Sequence, residues 1–361
     1  MGSGVGVDDV LEWHGVEEPL RRPVMVVALT GYFDFAGAAT DALEHLIDCG
    51  DGELVASIDP DPFFDFTQQR PDARLDDNEE RVILWPANDF VAIRYPDATR
   101  DIVVLNGVEP HTRWATFVRC VMSVYERLGC EALVTVGASP DRVPHTRLPP
   151  VVGSTADENL ARTLGLARPS YQGITGVVGV MQTQFERASF PAVSLRVGTP
   201  YYLEGAEHPQ ASAALLRHLE HVLGVPTWHA WLNERIKKWR SIHDEAATDS
   251  DEVRTVVGVL ERMFDAAAEQ AIPVSRRSRR AVPALPRRTE LTPTFAPNVE
   301  RSYMPACSYA PHCYGTTGYL AAANPSSRSA RMSLMDSRPT LRRTMPGFTP
   351  ADTCSSSLNW L

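Results

Sequence analysis

The sequence predicts an α/β fold: a three-layer α/β/α sandwich on a mostly parallel sheet, followed by a C-terminal helical hairpin and a disordered tail. Three observations predict it. Short apolar runs suited to buried strands alternate with amphipathic helical periods through the first two-thirds of the chain. Three of those runs empty directly into dense polar motifs, as parallel strands do where their carboxyl ends gather loops. From about residue 271 onward neither a helical nor a strand period recurs.

The first apolar run, residues 24–29, opens into Thr30-Gly31-Tyr32-Phe33-Asp34-Phe35-Ala36-Gly37. The second, 102–105, opens into Asn106-Gly107-Val108-Glu109-Pro110-His111, and the third, 132–136, into a segment from Gly137 through His145-Thr146-Arg147. Further runs at 54–58, 82–84, 91–93, 177–181 and 192–197 are expected strands. The pair 82–84 and 91–93, separated by Pro86-Ala87-Asn88-Asp89, reads as a hairpin edge. Helices are expected where Ala39, Leu43, Leu46 and Ile47 recur on one face, then from Trp114 to Leu128, and around Leu215–Leu223 before Gly224. Thr155-Ala156-Asp157-Glu158 fits a capping box opening a helix through Leu160 and Leu164. Residues 149–154 are then a loop crossing the top of the sheet.

A different texture begins at Trp228. Trp228, Trp231, Leu232, Arg235, Ile236, Trp239 and Ile242 share one helical face. After an acidic turn over 243–252, Val253, Val256, Val257, Leu260 and Phe264 form a second face, with Asp249 or Ser250 as its cap. The expected organisation is a core over 1–226, a hairpin extension of that core over 227–268, and an Arg/Pro/Ser-rich tail over 269–361. Trp228, Trp231 and Trp239 are either core or a surface for a partner.

Of the 361 residues, 43% are hydrophobic and 22% charged, a composition that suits a soluble globular protein. No apolar run reaches the length of about 18 residues that a membrane span needs, and the N-terminus lacks a secretory signal. A cytoplasmic protein without a membrane partner is expected. The net charge of −10 is uneven: residues 271–361 carry twelve Arg and four acids, or +8, leaving −18 on the rest. The tail reads as a disordered segment, as the frame-shifted end of a G+C-rich gene, or as a basic arm; nucleic acid is not an expected partner. The six cysteines form no C-x-x-C pair and the ten histidines have no metal-site spacing, so no metal and no cofactor are expected.

The familiar catalytic signatures fail. Gly137-Ala138-Ser139-Pro140-Asp141 lacks the final Gly of a nucleophile elbow. Gly173-Ile174-Thr175-Gly176-Val177-Val178-Gly179 is no dinucleotide fingerprint and is expected to precede a strand. No catalytic residues are identified. What remains is a candidate strand-end cleft of Asp34, Glu109, His145, Arg147 and Tyr201. Asp34 stands before a helix start and reads as a cap or as a ligand. Glu109 follows a strand and reaches the strand ends. His145 and Arg147, two apart in an extended proline-flanked loop, point the same way and either bind an anion or hold the loop by ion pairing.

Seven ordered motifs, from Gly31-Tyr32-Phe33-Asp34-Phe35-Ala36-Gly37-Ala38-Ala39 through Phe64-Asp65-Phe66, Arg70-Pro71, Gly107-Val108-Glu109-Pro110, Val143-Pro144-His145-Thr146-Arg147 and Gly173-Ile174-Thr175-Gly176-Val177 to Pro191-Ala192-Val193-Ser194-Leu195, resemble the PAC2 family in its actinobacterial form. His208 stands at a helix start where that family more often has Asn. The resemblance covers about residues 8–266. It implies a core similar to nucleoside phosphorylases, a homo-oligomer, and a non-enzymatic assembly chaperone or interaction module whose partner is a protein, proteasome subunits among the candidates. The alternative is a small-molecule binder or a hydrolase- or phosphorylase-like enzyme. Relatives also carry the label of ATP-grasp or carboxylate–amine ligase, for which the chain shows no phosphate-cradling loop. The C-terminus, Ser357-Leu358-Asn359-Trp360-Leu361, lacks the hydrophobic-Tyr-any motif through which archaeal relatives dock.

Overall fold

The computed structural model describes residues 5–270, apart from 77, 78 and 204; residues 269 and 270, expected to open the tail, end the last helix, and the rest of the tail, with its alternative readings, lies outside the described residues. The centre is an eight-stranded sheet of β1 (Leu11–Trp13), β2 (Val24–Thr30), β3 (Gly52–Ile58), β6 (Asn88–Ile93), β7 (Ile102–Val108), β8 (Leu133–Asp141), β9 (Val151–Ser154) and β10 (Ala192–Pro200). Their order is β1-β3-β6-β7-β2-β8-β10-β9. β7, β2, β8 and β10 pair in parallel, and β3 runs in the same direction, while β1, β6 and β9 run against them. The sheet is thus mostly parallel in direction, with antiparallel strands on both flanks.

Near-continuous apolar runs mark strands buried on both faces, and β2 shows why. Val24, Val26 and Ala28 enter one core, whereas Met25, Val27 and Leu29 enter the other. The first core is closed by α1 (Ala38–Cys49), α3 (Glu158–Leu164) and α5 (Pro209–Leu223). The second is closed by α2 (Trp114–Arg127) and α4 (Val177–Arg187). This is the three-layer sandwich. Each Leu, Val or Phe buried in it contributes about 1.5–3 kcal/mol.

The last two helices, α6 (Asn233–Asp249) and α7 (Asp251–Gln270), form the hairpin. Their joint is one residue, Ser250, whose Oγ accepts from the Val253 N–H at 3.3 Å. The acidic stretch expected as a turn over 243–252 is helical except at Ser250: it ends α6 at Asp249 and opens α7 at Asp251. Trp228 precedes a 3-10 turn, His229–Leu232, so the tryptophans do not ride one helix.

Four other expectations are corrected. Residues 82–84 belong to β5 (Arg81–Leu84), which pairs with β4 (Asp72–Leu75) in a separate two-stranded sheet, while residues 91–93 belong to β6 in the main sheet. Residues 177–181 are helix: Val177, Val178, Met181 and Phe185 are the buried positions of α4, and their i, i+1, i+4, i+8 spacing is helical. Within 149–154, Val151–Ser154 forms the edge strand β9 against β10. The cap of α3 is Asp157, whose carboxylate accepts from Asn159 and Leu160 N–H at 2.8 and 2.9 Å. Thr155 is buried and donates instead to the Ala192 carbonyl at 2.7 Å.

Candidate functional site

Because β7, β2, β8 and β10 are parallel, the segments that follow them leave from one rim. Asp34 lies four residues beyond β2, Glu109 directly after β7, His145 four beyond β8, and Tyr201 directly after β10. Sharing a rim does not make them converge. Each polar side chain is held by its own set of partners.

Asp34 is buried and accepts from the Ala39 and Thr40 N–H groups at 2.8 and 3.4 Å and from the Thr40 hydroxyl. Those are free donors of the first turn of α1. Burial raises the pKa of its carboxyl, and the hydrogen bonds from Thr40 and Ala39 oppose that rise. Its role here is to anchor a helix start.

Glu109 is half-buried and bridges three segments. Its carboxylate accepts from the Tyr32 N–H at 2.7 Å and from the Val177 N–H, at the start of α4, at 2.8 Å. The glycines around it are required by contact. A Cβ at Gly31 or at Gly176 would stand 2.5 Å from a Glu109 carboxylate oxygen. The carboxylate thus fills the space between two glycine backbones and pins the loop after β2 to α4.

His145 and Arg147 do not lie on an extended loop. The Arg147 N–H donates to the Pro144 carbonyl at 3.2 Å, so residues 144–147 form a turn. That turn faces the hairpin. His145 is 1% exposed; its Nδ1 meets the Tyr202 hydroxyl at 2.6 Å and its Nε2 meets Asp244 of α6 at 3.1 Å. The same hydroxyl accepts the His145 backbone N–H at 2.8 Å. Burial depresses the imidazole pKa and Asp244 works against the depression. Arg147 makes a two-pronged pair with Asp265 of α7, at 2.9 and 2.8 Å, and reaches Glu261 at 3.1 Å. The pairing raises the guanidinium pKa further and lowers that of Asp265. The Thr146 hydroxyl donates to Glu261 at 2.6 Å, and Arg240 of α6 donates to the Thr146 carbonyl at 3.0 Å. The motif clamps the hairpin to the sheet.

Tyr201 is half-exposed and packs edge-on against Tyr202. Of the three tryptophans, Trp231 is 67% exposed. Trp228 is half-buried and stacks on Tyr95 with centroids 5.6 Å apart. Trp239 is only 7% exposed, so it is hairpin core rather than a surface. It lies between His208, at 4.3 Å, and His243, at 4.5 Å.

Sequence reasoning places Tyr202 beside Tyr201 at a strand end but not against His145, and it missed Asp244, His243, Glu261 and Asp265. The one local signal was the four-residue spacing of Trp239 and His243; the other partners are contributed from 57 to 118 residues away. Among the described residues, no three His, Cys, Asp or Glu are placed to hold a metal ion, and no helix is long and apolar enough to cross a membrane. Cys120 and Cys130 are buried free thiols, and burial pushes Cys120 up to about 11.

A three-layer sandwich whose strand-end motifs brace its own loops and a terminal hairpin describes a scaffold built around a rim. The model of the PAC2 family matches residues 28–247, and the chain belongs to that family. It is similar to a PAC2 family protein of Streptomyces avermitilis, 37% identical, with 65% of this chain and 99% of that one covered and a TM-score of 0.61. It is also similar to a proteasome-assembly chaperone homologue of Mycobacterium tuberculosis, 34% identical, over 65% and 99% of the two chains, with a TM-score of 0.59. An archaeal proteasome activator of Pyrococcus furiosus, 18% identical over 66% and 98% of the chains with a TM-score of 0.52, shares the fold. No curated protein matches the sequence.

Proposed function

We propose that this PAC2 protein is a non-enzymatic assembly chaperone or protein-interaction module that acts on proteasome subunits in the cytoplasm, as a homo-oligomer. The observation that carries the reading is the division of labour on the rim. Asp34, Glu109, His145 and Arg147 are each bonded to backbone or to the hairpin. Turned outward beside them are apolar side chains: Tyr32 at 66% exposed, Ile174 at 80%, and also Leu148, Tyr171 and Tyr201. Exposed apolar groups on loops beside a rigid framework are the composition of a protein-binding surface. The proteasome-assembly name of the Mycobacterium tuberculosis relative supports the choice of partner.

The test is affinity capture of the full chain from its native cell, alongside the Tyr32→Glu and Ile174→Glu variants. Enrichment of proteasome subunits that both variants abolish is the expected result. A capture free of proteasome subunits, or one the variants leave unchanged, overturns the assignment.

A further inference from the structure

The hairpin meets the core through an unusual concentration of imidazoles. His145 comes from the turn after β8, His208 from the start of α5, and His243 from α6, and all three surround Trp239. We propose that His145 and His208, packed around Trp239, form a latch that holds α6–α7 against the sheet while neutral and releases the hairpin as the pH falls.

His208 carries most of the mechanism. It is the cap of α5: its Nδ1 accepts from the Ala211 N–H at 3.2 Å. The ring proton therefore sits on Nε2, which is buried without a hydrogen-bond partner among the described residues. A second proton would have to go on Nδ1, where it would face the Ala211 N–H donor to donor and break the cap. It would also place a cation at the positive end of a helix. No carboxylate is bonded to the ring: α6 presents Trp239 and His243, and the turn after β8 presents His145. Burial accordingly depresses His208 to about 4.

His145 adds to the effect. Tyr202 faces its Nδ1 and Asp244 its Nε2, while Arg240 of α6 adds positive charge nearby and His243 lies within ring contact. Asp244 is half-exposed and offsets only part of the burial penalty. From α7, Glu261 and Asp265 are bonded to Thr146 and Arg147.

The sign follows from linkage. Docked, His145 and His208 bind fewer protons than they do when the hairpin leaves, so docking is complete above the free imidazole value of about 6.5 and weakens as the pH drops below it. A full return of His208 from about 4 to that free value raises the undocking constant by up to about 30-fold at pH 5. The surface uncovered is apolar: Trp239, Ala247, Val257 and Leu260 are all buried in the docked hairpin.

The experiment is amide hydrogen exchange of the full chain at pH 7.5 and 5.0, corrected for the intrinsic effect of pH. Exchange in α6 and α7 should accelerate by 10- to 30-fold, on the order set by linkage, while β2 and β7 keep their protection. His208→Asn retains a good cap that cannot be protonated, and it should remove most of the acceleration. His145→Gln should remove a smaller part and serves as the readout should the first variant lose protection in the sheet at pH 7.5. Equal exchange at both pH values, hairpin and sheet accelerating together, or variants that respond as the native chain does would each overturn the latch.

Discussion

The sheet and the α6–α7 hairpin belong to one molecule yet are held by different forces. Strands β2, β7 and β8 bury their apolar side chains on both faces, and α1, α2, α4 and α5 close over them. The hairpin buries few side chains, chiefly Trp239, Ala247, Val257 and Leu260. It is fastened instead by polar contacts: Asp244 to His145, Asp265 and Glu261 to Arg147, Arg240 to the Thr146 carbonyl, and Arg235 to Asp41 and Glu207. Apolar burial responds little to salt or pH, whereas ion pairs and buried imidazoles respond to both. The hairpin should therefore loosen under conditions that leave the sheet intact.

The largest expected effect tests the sheet side of that contrast. Phe117 of α2 is fully buried and meets Phe63 edge-on with centroids 5.7 Å apart. Phe117→Ala should cost about 3–5 kcal/mol and lower the urea midpoint of the whole chain. A loss confined to the hairpin would mean that the two regions are not energetically distinct.

Glu109→Gln comes next. The amide keeps one acceptor oxygen but turns an NH2 toward a backbone N–H, leaving either Tyr32 or Val177 without its partner. A cost of about 1–3 kcal/mol is expected, read from the denaturation midpoint, with faster exchange at the start of α4. An unchanged midpoint would remove Glu109 from the framework and return it to the list of free rim groups.

Much of this division could be read before the coordinates. The three central strands were legible because strands buried on both faces leave unbroken apolar runs; their ends were not, since β7 continues past Leu105 to Val108 and β8 past Val136 to Asp141. Cap residues such as Gly224, with φ 69°, were legible because the left-handed turn is cheapest for glycine. Residues 177–181 were misread because Val177-Val178-Gly179-Val180 is β-branched and too short to display its helical period. β5 was misassigned because its partner lies before it in sequence, and proximity to the next run says nothing about pairing. In the site, the capping side of Asp34's two readings needed only its own neighbours. The partner of His145 lies 99 residues away on a helix whose start was itself shifted, and no local pattern encodes such a contact.

Arg147→Ala should act on the hairpin alone. Removing the guanidinium leaves Asp265 and Glu261 facing one another across the surface of α7. Protection of α7 in hydrogen exchange should fall while β2 is unaffected, and added salt should weaken α7 in the native chain in the same direction. Equal loss in α7 and β2 would show that the clamp belongs to the core.

The smallest effect separates stability from binding. Trp231 is the one tryptophan of the candidate trio that is mostly exposed, lying 6.2 Å from Trp228 and outside both cores. Trp231→Ala should change stability by no more than about 0.5 kcal/mol, as surface substitutions do. If the turn entering α6 mediates self-association, the same variant should lower the mass seen by light scattering at micromolar concentration. An unchanged mass would remove Trp231 from any self-association surface. A marked loss of stability would instead mean that Trp231 braces the turn entering α6, and the hairpin would owe more to apolar packing than its polar fastenings imply.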